Sequence, residues 1–450
     1  GFSGSYSCNT RAAGPGSGGS VLIFADTIQG SGTIRTNGGS GYTSCTGAKS
    51  GGASGGRIAL HYSTNNYIGS LSSSGGAGYM TGSAGTIYTQ SKTAPYGNVL
   101  VNNTGTNYGA NFSLSGLDVA NLTVIYQNVL IDTDISIHNY TLFDRTRAVL
   151  HDDIYFRSNI FETIGSNTFT SSGIIEADNI TLRTGTYFNH PAGNILGLRI
   201  FATDLQIDSG ASINLASRGY SSNSGPGNGG QGASYIGGGG AGHAGSGGIS
   251  WGTSGTRSGG IQYGNITHPS TLGSGGGSSS SASGGSGGGY VKIDVLNSFV
   301  HDGTITVNGG SGGTYSSYRG GGGGSGGSIF ISSNHLSGSG TISANGGTGP
   351  STTNATGGGG SGGYIALYYS SNDFSGSISS RGGSGHFVGS AGSIYTHEAT
   401  QDQGNLLIDN GDSTLGGLLS LSFIHFANLT VNSQNLMFDD DVVVNEMMFF

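Results

Sequence analysis

Five short segments of this chain alternate apolar and polar positions with a period of two, and a pair of glycines precedes each. The signature Gly-Gly-x-(Ile/Val)-x-(Ile/Leu) begins at Gly18, Gly55, Gly288, Gly326 and Gly362, with neighbouring occurrences about 36 to 38 residues apart. Alternate side chains of a strand share a face, so Val21 and Ile23, Ile58 and Leu60, Val291 and Ile293, Ile329 and Ile331, and Ile365 and Leu367 are predicted to be buried. Lys292, Phe330 and Ala366 then point the other way. After each signature come a polar stretch, a second apolar position (Ile34, Ile305, Ile342, Ile378), a turn of the Asn/Arg-Gly-Gly kind and a Gly/Ser run leading onward.

A short strand unit with one apolar face cannot bury that face alone. Neighbouring units must stack, with equivalent residues piled into columns, which is the logic of a β-solenoid. Between Asn111 and Ser217 the texture is that of ordinary strands, as in Val129-Leu-Ile-Asp-Thr-Asp-Ile-Ser-Ile and Ile174-Ile-Glu-Ala-Asp-Asn-Ile-Thr-Leu, separated by Asn, Gly and Asp turns. No stretch shows a helical period with caps, and Gly is too frequent for helix. The expected fold is all-β: an elongated right-handed parallel β-helix with Gly-rich arches and essentially no helix. Four regions are expected: Gly-rich solenoid coils over 1–110, tighter coils over 111–218, a Gly/Ser-rich loop or arches over 219–289, and Gly-rich coils over 290–450.

A longer repeat encloses the short one. Ser20-Val-Leu-Ile-Phe and Gly30-Ser-Gly-Thr-Ile-Arg-Thr-Asn-Gly-Gly return as Ser328-Ile-Phe-Ile-Ser and Gly338-Ser-Gly-Thr-Ile-Ser-Ala-Asn-Gly-Gly, about 308 positions later. Gly82-Ser-Ala-Gly-Thr-Ile-Tyr-Thr returns as Gly389-Ser-Ala-Gly-Ser-Ile-Tyr-Thr, and Ala120-Asn-Leu-Thr-Val as Ala427-Asn-Leu-Thr-Val. A chain that opens within one repeat and closes within another is expected to be part of a longer tandem array.

Gly supplies 93 of 450 residues and charged residues only 8%, a mixture that without period would signal disorder. The periodicity argues for order. Gly runs then serve where the chain turns a corner with positive φ or where backbones approach closely. Alternatively, runs such as Gly357-Gly-Gly-Gly-Ser-Gly-Gly lie side by side as polyproline-II-like segments that satisfy each other's backbone groups. Flexible linkage is the competing account, most credible between Gly219 and Gly289 around the single Trp251. Residues 321–347 resemble the Gly-rich repeats of very large surface and extracellular proteins of the pectate-lyase-like or adhesin-like parallel β-helix class. That resemblance implies a secreted, elongated scaffold and carries over no catalytic residue.

A net charge of −8 with only 15 Lys plus Arg, unclustered, leaves no electrostatic footprint for nucleic acid. No run approaches the length of about 18 apolar residues needed to span a bilayer. Cys8 lies twelve residues before Ser20 and Cys45 twelve before Arg57, the same phase of consecutive coils. Stacked coils would bring them within disulfide reach, and a bridge would indicate an oxidising, extracellular setting; two free thiols in a loop are the alternative. N-glycosylation sequons occur at Asn102, Asn111, Asn121, Asn139, Asn179, Asn265, Asn354 and Asn428, about as many as chance supplies in so Ser/Thr-rich a chain. Asn121 and Asn428 occupy matched repeat positions, where an asparagine turn or ladder competes with a glycan.

For catalysis or cation binding the best carboxylates are Asp132 and Asp134, returning as Asp439 and Asp441, because residues two apart on a strand share a face. Asp152 and Asp153 are weaker, since adjacent strand residues diverge. Solvated strand ends are the default for all of them. The eleven His show no metal spacing, and Gly-x-Ser-x-Gly matches carry no weight in such a sequence. Tyr62, Tyr88, Tyr368, Tyr369 and Tyr395 recur beside the signature strands, either packing corners and subunit contacts or stacking on sugars. The function expected is that of a non-enzymatic structural segment of an extracellular filament or surface appendage, with other copies of itself as partners and no cofactor. An adhesin or glycan-binding stalk is the alternative, and a β-helix polysaccharide lyase or hydrolase the second.

Overall fold

A computed structural model describes all residues except 4–5, 8–10, 44–47, 104–107, 317, 412–415, 423, 440 and 450. Cys8 and Cys45 lie outside the described residues. The described chain is all-β, without helix, and forms two compact units, Gly1–Tyr187 and Phe188–Phe450.

In the first unit a long sheet runs in the order Ser20–Phe24, Arg57–Tyr62, Thr86–Ser91, Asn98–Asn102, Asp118–Ile125, Ile135–Asp144, Tyr155–Ile164 and Ile174–Leu182. Neighbours are parallel, apart from the antiparallel hairpin of Thr86–Ser91 with Asn98–Asn102. A second parallel sheet stacks Phe112–Leu114, Asn128–Ile131, Arg147–Leu150 and Asn167–Ser171. Phe143 and Phe161 of the long sheet meet Phe169 of the short one at 4.9 and 5.6 Å between ring centres, so the core lies between the two.

The second unit repeats this plan. Its long sheet orders Leu198–Ile207, Tyr290–His301, Ser328–Gly338, Tyr364–Phe374, Ser393–Glu398, Asn405–Asp409, Ile424–Asn432 and Val442–Phe449. Val291, Ile329, Ile365 and Ile394 stand in one register column, and Ile293, Ile331 and Leu367 in the next, all buried as the signature spacing predicts. Ile213, Ile305, Ile342 and Ile378 form the matching column of a parallel sheet of three-residue strands.

The glycine runs are neither linkers nor corners. Along residues 357–363, successive backbone N–H groups donate to Pro350, Gly238, Phe387, Gly347, Ala241, Ser390 and Ala344, at 2.7 to 3.2 Å. Donation thus rotates among three neighbouring segments and returns to each after three residues, the repeat of a polyproline-II helix. Residues 320–327 do the same, reaching residues 355, 358 and 361 on one side, 313, 310 and 307 on another, and 277 and 274 on the third. Segment 219–289, where flexible linkage was most credible, supplies several of these partners, and residues 236–245 are buried.

Two positions show why glycine is required. A Cβ on Gly322 would stand 1.8 Å from the carbonyl oxygen of Gly239, and one on Gly359 would stand 1.8 Å from that of Gly383. Neither has positive φ, so exclusion of a side chain, not backbone freedom, selects the residue. Corner glycines do exist at the matched turns Gly30 and Gly338, with φ of 115° and 111°.

The two copies of the long repeat agree in register and in side-chain bonding. Val21↔Ile58 and Ile34↔Leu71 in the first correspond to Ile329↔Ile365 and Ile342↔Ile378 in the second. Gln127 accepts the N–H of Ala84 (2.9 Å) and donates to the carbonyls of Ala110 and Asn128; Gln434 accepts the N–H of Ala391 (2.7 Å) and donates to those of Gly417 and Asn435. Asn103 bridges Gly75 to Gly82, and Asn410 bridges Gly382 to Gly389.

The bundle geometry yields a direct expectation. Gly322→Ala and Gly359→Ala should each destabilise by about 1–3 kcal/mol or more, the usual range for overpacking against groups that cannot move aside. Gly32→Ala, where a Cβ meets nothing within 4 Å, should leave thermal unfolding unchanged.

Candidate functional site

The acidic candidates do not converge. Asp132 and Asp134 fall in the bend between Asn128–Ile131 and Ile135–Asp144, where the strand rule of alternate faces does not apply. Asp132 accepts from the hydroxyl of Ser113 (3.0 Å) and Asp134 from the N–H of Tyr155 (2.9 Å), while Thr133 accepts the N–H of Gly116 (2.6 Å). Their hydrogen bonds therefore tie successive turns together. Asp152 and Asp153 occupy the next bend, with Asp153 at φ 58°, and Asp439 and Asp441 are exposed outside strands. Among the described residues no group of three or more His, Cys, Asp or Glu is placed to hold a metal ion.

One well-connected carboxylate is a residue that sequence inspection passed over. Glu162 accepts from the hydroxyl of Tyr140 (2.6 Å) and from Arg183 (2.9 Å). Burial alone would raise its pKa, but the bonds to Tyr140 and Arg183 prevail and hold it below the ordinary carboxylate range. Burial, reinforced by Glu162, pushes Tyr140 up to about 12. The trio fixes an ionised carboxylate and a neutral phenol, the reverse of a general acid poised near neutrality.

The sequons divide by exposure. Asn111, Asn139, Asn179 and Asn265 are exposed, and Asn102, Asn121, Asn354 and Asn428 are half-buried. At the matched positions the amides form ladders: Asn121 donates to Asn98 (2.5 Å) and accepts from Asn139 (3.1 Å), and Asn428 donates to Asn405 (2.6 Å). Asn265 accepts from the N–H groups of Thr267 and His268 and caps a turn.

The tyrosines separate into two groups. Tyr88 and Tyr395 lie over Gly97 and Gly404 at equivalent positions, where a Cβ would come within 2.3 to 2.4 Å of the ring; both pack a corner, and burial raises both phenols. Tyr62 is half-buried. Tyr368 and Tyr369 instead open onto a surface cleft of about 290 Å³.

Buried histidines were a second omission. His243 sits in the middle of a Gly run, and its position there was the available signal. Its Nδ1 donates to the carbonyl of Gly326 (2.7 Å), its Nε2 lies 2.8 Å from the Thr271 hydroxyl, and its ring meets Tyr364 edge-on at 4.9 Å. His190 donates from Nδ1 to the Pro191 carbonyl (2.7 Å) and accepts the N–H of Tyr290 at Nε2 (3.1 Å). Burial pulls both down to about 4.

These two imidazoles make folding acid-sensitive in a defined window. Both fold in the neutral form, so their contribution is fully present above the unfolded value near 6.5 and is lost as pH falls from there toward about 4. The expected loss is on the order of 3 kcal/mol for each residue, read from chemical unfolding at stepped pH. His243→Gln should flatten that slope. No protein-family model, curated protein or solved structure matches this chain.

Proposed function

We propose that this chain is a repeating structural scaffold, a segment of an extracellular filament or surface appendage built as a right-handed parallel β-helix whose coils continue from copy to copy. The observation that carries it is the duplication. Residues about 308 apart reproduce strand register, a buried glutamine, a buried asparagine and a tyrosine over glycine, side chain by side chain. Such repetition serves a body that must present the same surface to each successive neighbour.

An edge strand supplies a specific mode of association. Ser20–Phe24 is paired on one side by Arg57–Tyr62 and, among the described residues, on no other, leaving Leu22 and Phe24 exposed. Its counterpart Ser328–Gly338 carries Tyr290–His301 on that same side, in register from Tyr290↔Ser328 to Val300↔Ser337. A strand equivalent to Tyr290–His301 from another copy would cover the first edge in the same way, satisfying its free N–H and C=O groups. Extracellular placement draws on the matched phase of Cys8 and Cys45.

Electron microscopy and sedimentation velocity on the native material test this proposal. The expected result is head-to-tail polymers, shortened by Ile23→Lys, which places a charge where the counterpart Ile331 is buried. Asp132→Ala and Asp134→Ala should leave polymer length unchanged. A compact monomer that cleaves a polysaccharide, with turnover lost in those two variants, would replace the scaffold with an enzyme. Intact mass before and after reduction with alkylation should show a Cys8–Cys45 bridge; two thiols alkylated without reduction would remove the support for an oxidising compartment.

A further inference from the structure

We propose that the glycine face of the first unit is a docking site for a glycine-rich arm equivalent to residues 219–289, contributed by another copy of the repeat. The source of the arm rests on the copy-to-copy reading above; the face itself does not.

In the second unit, residues 219–289 supply acceptors to three glycine segments. The N–H groups of Gly322 and Ser325 donate to Gly277 and Ser274, those of Gly358 and Ser361 to Gly238 and Ala241, and those of Phe387 and Ser390 to Ile249 and Ser246, at 2.8 to 3.2 Å. The first unit carries the same three segments. Gly39 donates to Gly16, Gly52 to Met80 and Gly55 to Ser83, as Gly347 does to Gly324, Gly359 to Phe387 and Gly362 to Ser390. What it lacks is the arm. The six matching N–H groups, on Gly14, Ser17, Gly51, Ser54, Met80 and Ser83, have no protein acceptor among the described residues. These donors recur at every third residue, so they line one side of each segment. Ser325 and Ser361 are fully buried, whereas their counterparts Ser17 and Ser54 are exposed.

A second observation is steric. A Cβ on Gly322 would stand 1.8 Å from the carbonyl oxygen of Gly239, and one on Gly358 would stand 1.9 Å from that of Gly248, both in the arm. At Gly14 a Cβ would meet nothing within 4 Å, and at Gly51 only the carbonyl oxygen of Met80 at 3.5 Å, an ordinary contact. Neither residue has positive φ. Among the described residues of the first unit nothing calls for glycine at these two positions, and an arm laid on them would. Tyr79, 68% exposed, likewise stands where His386 faces Trp251 of the arm at 6.1 Å between ring centres.

The occupant follows from the energetics. Exposed amides are already hydrated, and ordering a glycine-rich segment costs more than its bonds return, so a free peptide is a poor match. In the second unit the arm is tied between Ser212–Asn214 and Tyr290–His301, and these strands offset the cost. The arm of another repeat is tied in the same way and meets all six donors.

Hydrogen exchange, read by mass spectrometry on the full chain and on two extended forms, tests the proposal. One form carries residues 219–308 ahead of Gly1, which keeps the repeat spacing; the other carries residues 290–308, the strand without the arm. The amides of Gly51, Ser54, Met80 and Ser83 should exchange freely in the chain alone and with the strand, and should slow by about tenfold or more with the arm. Gly14→Ala and Gly51→Ala should leave the melting temperature of the chain alone unchanged and abolish the protection that the arm confers. The proposal is overturned if these amides still exchange freely with the arm, if the strand alone protects them, or if the arm protects the Gly51→Ala chain equally well. Failure of the edge pairing in the polymer reading shows elsewhere, as free exchange along Ser20–Phe24 in the strand form.

Discussion

Backbone amides that bond to backbone carbonyls in three directions, with no side chain between them, set the terms for much of the second unit. Such a segment has no hydrophobic face to drive its placement. Each N–H···O=C bond contributes roughly 1 kcal/mol net, while ordering each residue costs about 1–2 kcal/mol, and glycine loses the most freedom of all. The glycine segments therefore do not hold themselves in place. They are held because each run is tied at its ends to strands, as residues 307–327 are to Thr304–Thr306 and Ser328–Gly338, whose apolar columns supply the net driving force.

The same dependence explains the division of labour along each repeat. Columns such as Val291, Ile329 and Ile365 bury aliphatic side chains, and the intervening runs convert the remaining chain into a packed body instead of a loose loop. Buried polar side chains appear where the two textures meet. Gln127 and Gln434 each join the strand region to a glycine segment with three bonds, and His243 links Gly326 to Thr271 beneath Tyr364. At these junctions the backbone leaves one pattern before the other has begun, and a side chain supplies the missing donor or acceptor.

Strand identity was legible because it has a local signal. Period-two alternation placed Ile329, Ile331, Ile365 and Leu367 correctly, and the repeat itself gave their register. The glycine runs were legible only as a set of three alternatives, since composition shows that side chains are absent without showing what stands in their place; the rotation of hydrogen bonds over residues 357–363 is a long-range property. The facing of Asp132 and Asp134 was not legible for a related reason. Their spacing fits a strand, yet the chain bends there, and nothing local distinguishes the two cases. Glu162 went unnoticed because its character comes from neighbours distant in sequence, Tyr140 and Arg183.

A body held by main-chain bonds also responds to temperature unlike an oil-drop core. The heat-capacity change of unfolding is raised by newly exposed apolar surface and lowered by exposed peptide groups, and the three-way bonded glycine segments expose mostly the latter. Their share of that change is small or negative, so the stability curve of the second unit is flatter than its chain length alone would give. Cold weakens the hydrophobic term and leaves this one largely in place. The Gly-rich composition is thus a route to a packed body whose stability changes little across a wide span of temperature.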